Sequence, residues 1–305
     1  MTRYDVVAVG EALVDIVRAS DGVEAEAPGG SPANVALTLG RRGRSVALVT
    51  RLGDDERGAT VREWLAESGV EVVVTPAERT STALAVLDAS GAATYEFDLR
   101  WELADQPFPD ARILHHGSIA SVLTPGADTL EALVEAARDA STVISYDPNI
   151  RPSLIEDEED ARERVARHIA AADLVKASDE DVEWLHPGAD PQEVAQAWLE
   201  EGPSLVVITA GAAGAFAAYP GGIVGVPAPS VRVVDTVGAG DTVMGALIAG
   251  LIELSGAEAS GEDVRAVLAS LDAAAIGALL EQALASAAIT VSRPGADPPW
   301  SAELS

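Results

Sequence analysis

The sequence predicts an α/β protein built on a doubly wound, mostly parallel sheet with helices on both faces and a small β-sheet lid. Three observations carry that expectation. Short β-branched runs recur, each followed by a segment of helical apolar spacing, and such alternation places crossover helices between parallel strands. The 305 residues suit one wound domain, 1–305, with no linker, repeat or low-complexity tract. Two stretches, about 11–29 and 71–100, break the rhythm with strand-like alternation. Strands that interrupt a wound core must pack elsewhere, and a separate sheet over the strand ends makes a lid.

In chain order, residues 6–9 (VVAV) form the first buried strand. Residues 31–40 read as a helix with Ser31 as N-cap, Pro32 at N1, Asn34 in the first turn and Gly40 at the end. Strand 46–50 and helix 60–68 follow. Within 71–100, "TALAVLDASGAATYEFDL" alternates about a hairpin turn at Ala89, Ser90, Gly91 and Ala92. Then come strand 113–115, helix 127–140, strand 143–146 and helix 158–171, whose acidic start "IEDEEDARER" is a solvated face. Strand 174–176, helix 191–201 and strand 205–209 continue the winding. Residues 204–231 carry no charge, but Gly211, Gly214, Pro220, Gly221, Gly222, Pro227 and Pro229 cut them into short strands and turns rather than a membrane span. Residues 231–234 read as a strand end and Gly238-Ala239-Gly240 as a turn. A helix over 242–254, begun at about Asp241, carries Val243, Met244, Leu247, Ile248, Leu251 and Ile252 on one stripe.

Lys plus Arg number 20 against 49 Asp plus Glu, a net charge of −29, which excludes polyanion partners: nucleic acid and anionic membranes are repelled. A phosphate can still bind where helix N-termini, Mg²⁺ and a few cations make a local positive field. There is no cysteine and there are four histidines, so disulfides, thiolate metal sites and cysteine nucleophiles are excluded and a zinc site has little to use. The N-terminal "MTRYDVVAVGEALVDIV" carries Asp5 and Glu11 through its apolar region and has no cleavage site. A cytoplasmic protein is expected. His115, His116 and the tryptophans read as packing or surface residues.

The stretch "DTVGAGDTVMGALIAG" (235–250) sets two glycines and an acid at the mouth of a helix. Free N–H groups there point at whatever sits above the turn. Asp241 has two readings from the residues alone: an N-cap, or an acid facing a ligand that the glycines admit to the backbone. No Gly-Lys pair makes a Walker A loop, and the third glycine of a dinucleotide fingerprint would fall at Val243.

"VDTVGAGDTVMGALIAGL" resembles the C-terminal signature of the ribokinase/fructokinase (PfkB) family of carbohydrate kinases, and "GGSPANVALTLGRRG" (29–43) is similar to its N-terminal signature. "RLGDDERG" (51–58), "SYDPNIRPSL" (145–154), "KASDEDVEWL" (176–185) and "VITAGAAGAFA" (207–217) resemble family blocks in the same order, so the similarity covers essentially the whole chain. It implies a ribokinase-like fold and an ATP-dependent phosphotransferase acting on a primary hydroxyl of a small ketose. Asp241 would accept the proton of the attacking hydroxyl, and Gly238, Ala239, Gly240 and Asp241 amides would form an anion hole. Loose phosphoryl transition states ask for alignment and charge stabilisation more than early deprotonation.

By the same resemblance Gly30, Asn34 and Asp15 touch sugar hydroxyls, and Asn149 and Arg151 reach the cleft rim. Lys176, Ser178, Thr209, Gly211 and Gly214 belong to the nucleotide side, with Gly238 and Gly240. Ser178 and Asp181 stand where the family often has Asn and Glu, which limits Asp181 to an indirect influence on Mg²⁺. Asp235 and the Val237 carbonyl are candidates for a K⁺ site, and "EQALASAAITVSRPGADPPW" is similar to the segment that encloses adenine. The resemblance is strongest to fructokinases, giving fructose to fructose 6-phosphate. 2-Keto-3-deoxygluconate is the rival substrate, its carboxylate met by Arg100 or Arg151. A nucleoside is disfavoured because Tyr95, Phe97 and Trp101 are the one aromatic cluster near the lid. A sugar-binding regulator without turnover would be expected to have lost Asp241 or the Gly-Ala-Gly turn. A homodimer through the lid would cover its strand edges.

Overall fold

The structure, a computed structural model, describes residues 3–18, 23–87, 93–104 and 108–304. In chain order its elements are β1 (Tyr4–Val9), β2 (Leu13–Arg18), β3 (Glu24–Gly29), α1 (Ser31–Arg41), β4 (Val46–Gly53), α2 (Glu56–Glu67), β5 (Val70–Ala77), β6 (Thr82–Leu87), β7 (Ala93–Asp98) and β8 (Ala111–Gly117). Then follow α3 (Gly126–Asp139), β9 (Val143–Asp147), α4 (Glu158–Ala171), β10 (Leu174–Ser178), α5 (Asp179–Leu185), α6 (Pro191–Glu201), β11 (Leu205–Thr209), β12 (Ala215–Tyr219), β13 (Gly222–Val226), α7 (Ala239–Ser255), α8 (Gly261–Ser270) and α9 (Ala273–Val291).

Nine strands form one sheet in the order β13-β12-β11-β10-β9-β8-β1-β4-β5. The run from β5 to β11 is parallel and β12 and β13 are antiparallel. Period-two alternation divides the strands between two cores: Val6 and Ala8 face α1, α2, α7, α8 and α9, whereas Val7 and Val9 face α3, α4, α5 and α6. The strand order reverses between β1 and β8, and wound sheets bind ligands at such a point, beyond the carboxyl ends of the strands. The small sheet, β3-β2-β6-β7, presses Val14 and Ile16 toward the α1–α2 side.

Helix α7 is buried along Asp241–Ile252, and each fully buried aliphatic side chain contributes about 1.5–3 kcal/mol. Gly245 sets its distance from α1, because a Cβ there would lie 2.7 Å from the Thr38 Cβ. That close approach brings the N-termini of α1 and α7 together. Helix α9 has the length and apolarity of a membrane-crossing helix, but Ile276, Leu280, Ala283 and Ala287 are buried in the core beside α7.

Several expectations are corrected. The 71–100 stretch divides: β5 returns parallel to β4 in the main sheet, as a right-handed crossover through α2 requires, and the small sheet takes β6 and β7 only. The turn at 89–92 lies outside the described residues. Residues 231–234 are not a strand. Pro227 and Pro229 lack ladder donors, and the segment instead ties to the end of α9, with the Val234 and Asp235 N–H groups on the Val291 carbonyl. The N-cap of α1 is Gly30 at φ 106°, not Ser31, because the Ser31 hydroxyl is used elsewhere. Helix α7 starts at Ala239 behind Gly238 in the left-handed region, and α2 starts at Glu56 because Asp55 accepts the Gly58 N–H.

Candidate active site

The two glycine-led helix starts meet. Ser31 Oγ donates to Asp241 Oδ1 at 2.6 Å and Asn34 Nδ2 donates to Asp241 Oδ2 at 2.7 Å. All three side chains are buried. Each carboxylate oxygen keeps an open lone pair, since an ionised carboxylate can accept about four hydrogen bonds. Gly238 needs its φ of 75°, and a Cβ there would stand 2.6 Å from the Ala296 Cβ, so the C-terminal segment packs directly on the Gly-Ala-Gly turn. Gly240 and Asp241 lie in the first turn of α7, where N–H groups have no helical acceptor.

Below that turn lies the one lysine of the chain. Lys176 Nζ pairs with Asp147 Oδ2 at 2.8 Å, both buried, and a Cβ on Gly240 would come within 2.8 Å of the same Nζ. Burial works against the ammonium, but Asp147, Asp181 and Asp241 outweigh it and hold its pKa above the ordinary value. The ammonium of a buried ion pair therefore lies against the Gly240 backbone at the start of α7. Asp181 is consumed locally: Oδ1 accepts the Ile150 N–H at 2.7 Å, and Oδ2 accepts the Ser178 N–H at 2.8 Å and hydroxyl at 2.7 Å, closing a capping box on α5. It braces the "DPNI" turn to α5. Asn149 in that turn has φ 40°, a strained position for a non-glycine residue.

Asp15, on β2, is half-buried. Burial pushes its carboxyl up to about 6, with Arg151 opposing and Asp241 adding to the rise. Arg151 is exposed and donates to the Asn149 and Ile150 carbonyls. Arg100 is exposed past β7 and makes no ion pair or hydrogen bond among the described residues; nothing brings it to the group. Trp101 is buried against Gly126 at the start of α3. Gly30 lies backbone to backbone on Glu11, whose carbonyl oxygen would be 2.5 Å from an added Cβ.

On the other side, Ser178 and Thr209 are neighbours in register at the ends of β10 and β11. Gly211 (φ 49°) and Gly214 (φ 102°) shape the turn that follows, and a Cβ on Gly214 would strike the Val226 carbonyl at 2.2 Å. Ala210, Ala213, Gly214, Phe216, Gly225 and Pro227 help line a recess of about 300 Å³ there. Asp235 accepts the Val237 N–H at 3.0 Å and the Gly295 N–H at 2.8 Å. It joins the 235–237 loop to Gly295 and leaves one lone-pair direction on each oxygen. No group of three or more metal-ligating side chains occurs among the described residues.

The residues that sequence reasoning missed are the partners: Ser31 as a clamp on Asp241 and Asp147 under Lys176. Asp147 lies inside the "SYDPNIRPSL" block and the single lysine was itself a signal. The Ser31 clamp needs two helices brought together and has no local signature. His115 and His116 are packing residues as expected, both buried in β8, and His116 stacks with Tyr146 and His168 at 4.7–4.9 Å between ring centroids.

The sequence matches the pfkB family of carbohydrate kinases over residues 3–303. It is 37% identical over 254 residues to a fructokinase of Klebsiella pneumoniae, covering 80% of this chain and 83% of the relative. It is 40% identical over 257 residues to one of Rhizobium leguminosarum bv. trifolii, covering 79% and 78%. Among solved structures, fructokinase with bound ATP from Xylella fastidiosa superposes with a TM-score of 0.85 at 27% identity, over 99% of this chain and 98% of that one. A double mutant of Vibrio cholerae O395 fructokinase, solved with fructose, ADP and potassium ion, gives 0.82 at 28% identity, over 100% and 97%. The chain belongs to the pfkB family of carbohydrate kinases.

Proposed function

We propose that this kinase transfers the γ-phosphoryl group of ATP to the primary 6-hydroxyl of fructose, giving fructose 6-phosphate, as a cytoplasmic enzyme whose partners are the sugar and MgATP. The observation that carries this reading is the Asp241 carboxylate. Two buried donors on α1 hold it at the mouth of α7, beside amides suited to an anion and above the Lys176 charge. Asp241 takes the hydroxyl proton as the bond to phosphorus forms. The Gly238–Asp241 turn meets the charge on the transferred group, with Lys176 reinforcing it. Asp15, Asn34 and Gly30 hold sugar hydroxyls, with Asn149 and Arg151 at the rim. The small sheet acts as a lid that excludes water and so suppresses ATP hydrolysis.

ATP lies on the shelf formed by Thr209, Gly211 and Gly214, with Ser178 at its edge. Mg²⁺ neutralises phosphate charge when bound. With Asp181 committed to its cap and no protein cage on offer, the ion would be held by nucleotide phosphates and water. Asp235 and the Val237 carbonyl are the proposed K⁺ ligands. The outer face and edge strands β3 and β7 of the small sheet, with Val17 exposed, are the proposed dimer contact. A monomeric mass by light scattering removes the dimer.

Arg151 decides between fructose and 2-keto-3-deoxygluconate. It is exposed and turned back on the Asn149 and Ile150 carbonyls, and that pose makes no built site for a substrate carboxylate and favours a neutral sugar. An ADP-release screen over fructose, 2-keto-3-deoxygluconate, ribose, tagatose phosphates and nucleosides, with and without K⁺, tests the reading. The highest kcat/KM on fructose is expected. No turnover on any ketose overturns it.

A further inference from the structure

Helix α1 meets the start of α7 at one end and a C-terminal strap, residues 292–304, at the other. Its first turn bonds Asp241 through Ser31 and Asn34, and its last residue, Arg41, lies about 15 Å further along the axis. The Arg41 side chain is only 12% exposed. Its Nη1 donates to Asp297 Oδ1 and to the Pro298 carbonyl, both at 2.5 Å, and the guanidinium lies over the Trp300 ring, 5.2 Å from the centroid. Its Nε donates to the Ser68 hydroxyl at 3.3 Å, and the Ser301 hydroxyl donates to the Arg41 carbonyl at 3.4 Å.

The strap so anchored crosses the Gly-Ala-Gly turn. On one side of Ala296, Gly295 donates its N–H to Asp235 Oδ2 at 2.8 Å, and on the other Asp297 and Pro298 hold Arg41. Ala296 itself faces Gly238. A Cβ on Gly238 would stand 2.6 Å from the Ala296 Cβ, 3.0 Å from its Cα and 3.9 Å from Asn34 Nδ2. Gly238 is the N-cap of α7 at φ 75°, so the backbone that opens the turn is confined between the strap and α1. A close-packed contact of this kind transmits displacement, because protein interiors yield little.

We propose that Arg41 is a positioning residue for the transfer step: it pins the strap so that Ala296 holds Gly238, and with it the amides at the start of α7, in register with Asp241. One helix then sets both the base and its anion hole. This rests on the reading of Asp241 as the base and of the Gly238–Asp241 turn as the anion hole. An ion pair that only fastened the end of the chain would move the thermal midpoint and leave both kinetic constants alone. A strap that only covered the nucleotide would raise KM for ATP at constant kcat. The test is kcat, the KM of fructose and of MgATP, and the thermal midpoint for Arg41→Ala, Asp297→Ala, the double variant of these two, and Asp241→Asn.

Arg41→Ala is expected to lower kcat about tenfold, within the scale of an ångström-level misplacement, with the smaller change in KM for ATP. Asp297→Ala moves kcat the same way by less, because the Pro298 carbonyl and Trp300 still hold the guanidinium. The double variant is no slower than Arg41→Ala, since the two groups act through one contact and their effects do not add. An unchanged kcat in Arg41→Ala, or a change confined to KM for ATP or to the thermal midpoint, overturns the proposal. So does a double variant slowed by the product of the two single effects. If Arg41→Ala does not fold, Asp297→Ala decides: a lowered kcat supports the proposal and an unaltered one overturns it. Turnover by Asp241→Asn at the parent rate overturns the active-site reading instead, whereas a slow Asp241→Asn beside a full-rate Arg41→Ala overturns only the role of Arg41.

Discussion

The corner around Asp241 and the shelf from Thr209 to Val237 are built in opposite ways. In the corner, buried side chains are bonded in series: Ser31 and Asn34 on Asp241, Lys176 on Asp147, Asp181 on the Ile150 N–H. The shelf is glycine, alanine and proline with Val231, Val233, Val234 and Val237 exposed, so it offers backbone and apolar surface. Charge that develops during transfer needs donors already in place, whereas a nucleotide is gripped by amides and an apolar recess. Changes in the corner should therefore appear in kcat or stability, and changes on the shelf in KM for ATP.

The largest expected break of that contrast is at the buried pair. Lys176→Met leaves Asp147 uncompensated, at a cost of about 3–5 kcal/mol. Urea unfolding should show that loss, and the double variant with Asp147→Asn should recover part of it. Asp241→Asn comes next. Its kcat should fall about 10²-fold or more, the scale of general-base loss, with little change in KM for ATP, in steady-state ADP-release assays.

A pair of alanines then separates the two regions. Gly238→Ala must hold φ 75° against Ala296, costing about 1–3 kcal/mol, and should lower kcat. Gly214→Ala, forced against the Val226 carbonyl, should raise KM for ATP with the smaller effect on kcat. Equal effects of both on both constants would erase the contrast.

The smallest effect is electrostatic. Asp15 has its carboxyl raised to about 6 from an ordinary value of 3.8, so the folded state binds its proton more tightly than the unfolded chain. Its contribution is fully present below about pH 4 and is lost as pH rises through 6. Burial lowers the pKa values of His115, His116 and His168, to about 3 for His115 and about 4 for His168, which gives the opposite slope. The readout is therefore the difference between Asp15→Asn and the parent. The variant's thermal midpoint should gain on the parent between about pH 4 and 6 and hold level above that, in scanning calorimetry.

Much of this was legible in the chain. The parallel strands and Asp241 follow from β-branched runs and a long signature, because buried strands and helix mouths leave period and glycine marks in sequence. The strand at β5 was misplaced because an edge strand alternates as a lid strand does. The extended run 231–234 looked like a strand because valine composition does not reveal which partner supplies hydrogen bonds. The Ser31 contact was unreadable because it joins residues of α7 and α1, and only the packing set by Gly245 against Thr38 brings the two together.

The central claim is that the corner holds Asp241 ready to take the acceptor proton. A crystal structure with fructose and a non-hydrolysable ATP analogue tests it most directly, through the distance from the sugar 6-oxygen to the Asp241 carboxylate. The account predicts a contact of about 2.6–3.2 Å with the Ser31 and Asn34 bonds intact. A fructose seated with its 6-hydroxyl on another residue, and Asp241 still bonded to Ser31 and Asn34 alone, would contradict it.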